Sequence, residues 1–348
     1  MNNTLKINLK NMSLDEMISL ANGLGKKRYT GRQLYKWIFK HGESEFGAMT
    51  DLSKSFRKLL QKRYYIGRIV ALNNFKSVDG TIKTVWEIDD NNYIESVLIP
   101  DNDRLTLCVS SQAGCPLGCS FCATGLNGFR RNLSSGEIYD QYLLTKSTLD
   151  SQTRITNIVF MGMGEPFLNY DNVMKAIEAL TNELGASISA KKITVSTVGL
   201  IDGIYRLADE LPGLKLAISL HSAIDDIRNK LIPIAKKFPL AKLKESAKYY
   251  AEKSGNRVSF EYLLIKNIND SLDDARALAN FIRAIPCKIN LITYNPVEGS
   301  KFQRPDEQKV SAFRDYLYPR APAITLRKSR GVDISAACGQ LAGHHNPK

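Results

Sequence analysis

Residues 108–124 read Cys-Val-Ser-Ser-Gln-Ala-Gly-Cys-Pro-Leu-Gly-Cys-Ser-Phe-Cys-Ala-Thr. Within them Cys115, Cys119 and Cys122 form a Cys-x3-Cys-x2-Cys triplet, and Gly114 and Gly118 leave the backbone room to fold three thiolates around one inorganic centre. A structural zinc site takes four protein ligands, and no fourth Cys or His lies within the next twenty residues. A [4Fe-4S] cluster held by three thiolates instead keeps one iron open to chelate a substrate. Three cysteines buried merely as small hydrophobes would not require this spacing between glycines.

Outward from this stretch, short apolar runs alternate with amphipathic ones. Strands are expected near 104–109, 156–161, 192–197, 215–220, 257–264 and 288–293, and helices near 134–149, 169–184, 201–210, 239–254, 272–285 and 305–319. That order predicts an α/β fold with a parallel sheet and right-handed crossovers, a partial, TIM-like (β/α)6 barrel. A closed eight-unit barrel would need two more units than can be counted.

In such barrels the chemistry lies beyond the carboxyl ends of the strands. The cluster loop follows the first strand. Met161-Gly-Met-Gly-Glu-Pro166 follows the second, where Gly162 and Gly164 would let backbone approach a ligand's amino group and Glu165 offers a carboxylate. Ser196 ends the third strand, Ser219-Leu220-His221 the fourth and Asn295, in Tyr-Asn-Pro, the sixth. A lone Ser or Asn at a strand end is usually a cap, so these gain weight only as a set. Two thiols remain. Cys108 ends the first strand, and Cys338 sits in a flexible, glycine-flanked loop, Gly331-Val-Asp-Ile-Ser-Ala-Ala-Cys-Gly-Gln-Leu. They could meet over the site, where a thiolate can act as a nucleophile. Cys287, at a strand start, belongs to structure, and His344 and His345 read as tail residues.

Upstream, residues 13–63 read as three helices. Ser13-x-x-Glu16 has capping-box form, and on the second helix Arg32, Lys36 and Lys40 share a stripe opposite Leu34, Trp37 and Ile38. The third repeats the design, with Lys54, Arg57, Lys58, Lys62 and Arg63 outward. From 64 to 100 the period becomes two, which predicts a hairpin of 82–88 and 93–99 bridging two domains and carrying Glu95. The expected division is 1–65, a helical RNA-docking domain; 66–100, the hairpin linker; 101–335, the core barrel; and 336–348, the loop and tail carrying Cys338. Across 348 residues, 48 Lys and Arg against 35 Asp and Glu give a formal charge of +13, which favours a polyanionic partner, nucleic acid first. Six cysteines without a framework spacing point to a reducing compartment. No secretory leader is read in Met1–Glu16, and no run approaches eighteen apolar residues, so a cytoplasmic chain is expected.

The triplet, with Phe121 before its last cysteine, resembles the signature of radical S-adenosylmethionine (SAM) enzymes. Cys-Val-Ser-Ser-Gln, Gly-Met-Gly-Glu-Pro, Ser-Leu-His, Tyr-Asn-Pro and Ala-Ala-Cys-Gly-Gln-Leu together resemble the radical-SAM RNA adenine methyltransferases of the RlmN and Cfr type, over nearly the whole chain. The resemblance implies that Cys115, Cys119 and Cys122 hold the cluster, and that Gly164, Glu165, Ser196, Ser219, Leu220, His221 and Asn295 contact SAM. It implies two SAM per turnover: one methylates Cys338, and the second yields a deoxyadenosyl radical that takes a hydrogen from the new methyl group. The resulting carbon radical adds to the adenine ring. Cys108 then forms a transient disulfide with Cys338 that releases the base, and Glu95 is the proton acceptor. Pro166 and the Pro-Cys-Lys-Ile-Asn-Leu-Ile run resemble the branch that methylates C2 of adenosine 2503 in 23S rRNA and of adenosine 37 in tRNAs, although Tyr294 replaces a Trp seen in some of its members. The C8 methyltransferases of the Cfr type are the alternative. A flavodoxin-like electron donor and a monomer complete the expectation. A non-catalytic iron-sulfur RNA-binding protein would leave Cys338 idle.

Overall fold

The computed structural model describes residues 6–343, so His344 and His345 lie outside the described residues. After a short strand, β1 (Ile7–Asn8), come helices α1 (Leu14–Gly23), α2 (Arg28–Phe39) and α3 (Lys54–Arg63), closed by β2 (Tyr64–Tyr65), which pairs with β1. The expected capping box starts α1: the Glu16 N–H donates to Ser13 Oγ at 3.2 Å and the Ser13 N–H to Glu16 Oε2 at 2.7 Å. Met17, Ile18 and Ala21 bury the inner face of α1. At Gly31 on α2 an added Cβ would stand 2.6 Å from Ile18 Cα, so α1 and α2 cross at a contact that only hydrogen permits.

Among the described residues the main sheet has ten strands. Three antiparallel strands open it: β3 (Val70–Lys76), β4 (Ile82–Ile88) and β5 (Asn92–Asp101). The expected hairpin is thus present as β4 and β5, but instead of bridging two units it extends the barrel's sheet, and β3 adds an unforeseen edge. The chain continues through β6 (Arg104–Cys108), β7 (Gln112–Gly114), α4 (Ala123–Leu126), β8 (Phe129–Asn132), α5 (Ser135–Ser147), β9 (Asn157–Phe160), α6 (Tyr170–Thr181), β10 (Ile193–Thr197), α7 (Ile201–Glu210) and β11 (Lys215–Ser219). There follow α8 (Asp225–Leu231), α9 (Leu240–Ser254), β12 (Val258–Leu264), α10 (Leu272–Ile282), β13 (Cys287–Thr293), α11 (Glu307–Leu317) and β14 (Ile324–Arg327). The order β14-β13-β12-β11-β10-β9-β6 is parallel throughout, and β5-β4-β3 complete the sheet. All six expected parallel strands form. The seventh, β14, escaped notice because its four residues precede a basic turn and it pairs only with β13. Among the described residues no helix is long and apolar enough to cross a membrane.

The N-terminal helices rest on the outer layer. Lys10 Nζ donates to Asp140 Oδ1 on α5 at 2.7 Å, and both side chains are almost wholly buried. Burial pushes the Asp140 carboxyl up and the Lys10 amine down, each against the pull of its partner. Asp140→Ala would strand a buried ammonium and is expected to cost roughly 3–5 kcal/mol. Denaturant unfolding checks this, and a loss below about 1 kcal/mol would contradict a buried ion pair. The basic stripe on α2 is partly committed to the same interface. Arg32 pairs with Glu183 at 3.1 Å, and Lys40 donates to the Glu183 carbonyl at 3.2 Å, so these two do not face solvent freely as expected.

Candidate active site

A cavity opens at the carboxyl ends of the parallel strands. Cys115, Cys119 and Cys122 line it from the loop between β7 and α4. Gly164 and Glu165 line it after β9, Ser196 at the end of β10, and Ser219 and His221 at the end of β11. A second cavity adjoins it: Met161, Ile292, Arg327 and Cys338 line both, whereas Cys108 and Asn295 belong to the second. Residues more than two hundred positions apart in the chain, Cys108 and Cys338, therefore share one wall. Leu220 and Glu95 line neither. Leu220 is buried and its N–H donates to the Glu261 carbonyl.

The Ser-Ser-Gln segment after Cys108 explains how the two ligand loops are joined. Ser110 Oγ donates to the Glu95 carbonyl and accepts the Met163 N–H, while the Gln112 side chain accepts the Glu165 N–H at 2.9 Å. Gly162 and Gly164 serve this junction. A Cβ at Gly162 would lie 2.7 Å from Ser110 Oγ, and one at Gly164, whose φ is +98°, 2.5 Å from Gln112 Cβ. The glycines are thus required by loop-to-loop packing, a reason different from the close ligand approach expected.

Glu165 is buried, its carboxylate accepting the N–H groups of Phe167 at 3.2 Å and Val198 at 2.9 Å. Desolvation outweighs these bonds and pushes it up to about 7. A carboxyl raised on folding stabilises the fold fully below its ordinary value, near 4.5, and that contribution is lost as pH rises through about 7. Wild-type protein without ligands is therefore expected to lose on the order of 3 kcal/mol relative to Glu165→Gln between pH 4.5 and 8. Parallel pH–stability profiles of the two proteins would contradict this.

His221 sits in the left-handed region at φ +56°. Its Nδ1 accepts the Leu263 N–H at 3.1 Å, which leaves the proton on Nε2. Burial, reinforced by Arg228, drives the imidazole down to about 3, so it is neutral at physiological pH. Phe121, between two of the cysteines, packs edge-on against it with centroids 4.7 Å apart.

The triplet's chemistry fits a cluster. Burial pushes Cys115 up to about 12 and Cys119 well above its ordinary value, with neighbouring thiols adding to both shifts, so the pair are neutral thiols on their own, and a metal group would have to displace their protons and supply the positive charge that holds them as thiolates. Among the described residues no three His, Cys, Asp or Glu groups converge on a single ion. The thiols line a shared cavity instead, as suits a multi-iron group with one thiolate per iron.

The Cys338 loop is held on both sides, contrary to its expected flexibility. Before the cysteine, Asp333 accepts from Ser77 Oγ at 2.6 Å and from the Val78 N–H, and Asp79 accepts the Gly331 N–H at 3.0 Å. At the cysteine, Asn295 Nδ2 donates to the Cys338 carbonyl at 3.2 Å, and beyond it Thr124 Oγ1 donates to the Leu341 carbonyl at 2.6 Å. Glu95 is part of this clasp. It is buried, pairs with Lys83 at 3.3 Å and accepts the Ala342 N–H at 3.0 Å. The β5 face that carries Glu95 also carries Val97 and Ile99, which line the second cavity.

Sequence reasoning missed several polar residues. Glu261, within the fully buried β12, accepts from Asn290 Nδ2 at 2.7 Å and pairs with Arg327 at 3.5 Å. A charged residue in an apolar strand was a usable signal. Arg228, on the unforeseen α8, is buried, donates to the Val198 carbonyl and leaves Nε and Nη1 unpartnered. Burial brings Cys108 up to about 12, with Cys338 adding to the shift and Arg327 opposing it.

A partial barrel with a three-cysteine loop at the carboxyl ends of its strands is the architecture of the radical SAM enzymes, and residues 109–282 match that superfamily. Residues 7–66 match the family described as Ribosomal RNA large subunit methyltransferase N-terminal domain. A radical SAM methyltransferase from Sphaerobacter thermophilus superposes with a TM-score of 0.90 at 40% identity, covering 97% of this chain and 100% of that one. The chain is 45% identical over 352 residues to a protein of Chloroherpeton thalassium named probable dual-specificity RNA methyltransferase RlmN (99% and 95% of the two chains). It is 42% identical over 338 residues to the dual-specificity RNA methyltransferase RlmN of Geotalea uraniireducens (97% of each). The chain belongs to the RlmN family of radical SAM methyltransferases. Its cofactors are a [4Fe-4S] cluster and SAM.

Proposed function

We propose that the protein methylates C2 of adenosine in RNA, at adenosine 2503 of 23S rRNA and adenosine 37 of tRNAs, acting as a cytoplasmic monomer with a flavodoxin-like electron donor. One observation carries this: Cys108 and Cys338 share a cavity wall that adjoins the cavity lined by the cysteine triplet. The names of its relatives supply the RNA, and the +13 charge agrees with it.

Cys115, Cys119 and Cys122 would hold the cluster, which supplies the electron that cleaves SAM. Ionised Glu165 suits the ammonium group of SAM, and Ser196, Ser219 and His221 offer hydroxyls and an Nε2–H beside it. Gly164, Leu220 and Asn295 complete the proposed contacts. Asn295 has a second task here, since it anchors the Cys338 carbonyl. Cys338 attacks the sulfonium methyl of one SAM. Once that carbon has been joined to the adenine, Glu95 takes the proton from the ring carbon, for which Ala342 must release the carboxylate. The Cys108 thiolate attacks the Cys338 sulfur, forming an S–S bond as the sulfur–carbon bond to the base breaks; the bond pair stays on the methylene carbon, which takes a proton to become the methyl group, and the odd electron left by radical addition would pass to the bound cluster. Two electrons from cellular thiols then regenerate the pair.

The test is nucleoside mass spectrometry of RNA incubated anaerobically with reconstituted protein, a reductant and methyl-labelled SAM. Labelled 2-methyladenosine is expected. 8-Methyladenosine would transfer the protein to the Cfr-type reaction, and SAM cleavage with no labelled nucleoside would overturn the RNA substrate.

A further inference from the structure

The two adjoining cavities differ in charge. The inner one carries two buried carboxylates, Glu165 and Glu261, with Arg327 as its one cation among the described residues, which suits a ligand bearing an ammonium and a sulfonium. The outer one carries Arg327, Lys328 and Arg330 and, among the described residues, no carboxylate. All three cations come from the end of β14 and the turn after it, on the free edge of the sheet. Between them, the Ser329 hydroxyl is buried without a partner, and Lys328 is exposed with no side-chain bond or ion pair among the described residues. Arg330 is only loosely held, 3.3 Å from the exposed Asp101. The remaining wall carries an aliphatic patch of Val97, Ile99 and Ile292 beside Thr124, Asn295 and the thiols of Cys108 and Cys122, and it shares Cys338 with the inner cavity.

We propose that the outer cavity is the nucleotide subsite. Its aliphatic patch takes a purine flipped toward Cys338, and Lys328, Ser329 and Arg330 grip the phosphates on either side of that nucleotide. This rests on RNA being the substrate and adds where its backbone is held. Base insertion and phosphate contact need each other: unstacking a nucleotide costs a few kcal/mol, and charge-assisted contacts beside the opening offset it. The remaining outward cations of α3 would then hold RNA further from the reacting base.

The test compares wild-type and Lys328→Ala/Arg330→Ala holoenzymes for binding an unmodified tRNA anticodon stem-loop across a salt series. Loss of two phosphate contacts should weaken binding about tenfold near 0.1 M salt and make the slope of log K against log salt shallower by about 1.4. The double variant should still load its cluster and cleave SAM with reductant alone at the wild-type rate. If it fails to load, Lys328→Gln serves, with a slope change of about 0.7. Unchanged affinity and slope in the variant, with wild type binding normally, overturn the subsite while leaving the RNA reaction standing. Wild-type protein that binds no stem-loop and methylates no RNA overturns both.

Discussion

Cys338→Ala is expected to abolish methyl transfer to RNA, by at least about 10⁴-fold, while leaving the cluster loaded and RNA affinity within about twofold of wild type. The size of the effect follows from the site. The adenine ring carbon is electrophilic and cannot attack a sulfonium methyl, so the carbon must first be carried on a nucleophile. Cys338 lies where both cavities meet, and the other thiols along that wall are Cys108 and the triplet cysteines. The alanine has little structural reason to unfold the protein. Cys338 is exposed, and the loop is held through its own carbonyl and through Asp333, Gly331, Leu341 and Ala342 rather than through the thiol. Methylation persisting in the variant would refute the assigned role.

Cys108→Ala is expected to stop the reaction one step later, with RNA covalently attached to Cys338. Cys108 ends β6 and is buried, with its thiol pushed up to about 12 by burial and by Cys338. Once Cys338 carries the base it can no longer ionise, so its part in raising the Cys108 thiol is removed. Arg327, paired with Glu261, remains to favour the Cys108 thiolate that must attack. Among the described residues, the other thiol that lines this cavity beside Cys108 and Cys338 is Cys122, which is assigned to the cluster. The purified variant should therefore carry RNA that survives denaturation and is removed by nuclease down to a modified Cys338 peptide. Clean, RNA-free variant that still turns over would contradict the resolving role.

Much of this was legible because the informative signals are local. The Ser13–Glu16 capping box, the alternation of strands and helices and the glycine-spaced triplet each depend on a few neighbouring residues. What was missed depends on contacts distant in sequence. β14 is four residues long and becomes a strand by pairing with β13, and α8 is a short insertion before α9. Gln112 joins two loops fifty residues apart, and nothing in its spacing announces it. Glu95 was marked by resemblance alone, since an isolated glutamate on a hairpin is usually solvated. Its carboxylate instead is buried and meets the N–H of Ala342, near the opposite end of the chain. Likewise, the small residues around Cys338 suggested mobility, but the hydrogen bonds that hold the loop come from the β3–β4 turn, α4 and Asn295.

The most direct test of the cysteine relay counts deuterium. With SAM carrying a fully deuterated methyl group, over several turnovers, the methyl reaches Cys338 with three deuteriums and must lose one before it joins the ring. The relay predicts methyladenosine with two deuteriums in its methyl group, the third recovered in 5′-deoxyadenosine. Methyladenosine retaining all three would mean direct transfer from SAM to RNA, and would contradict the role given to Cys338.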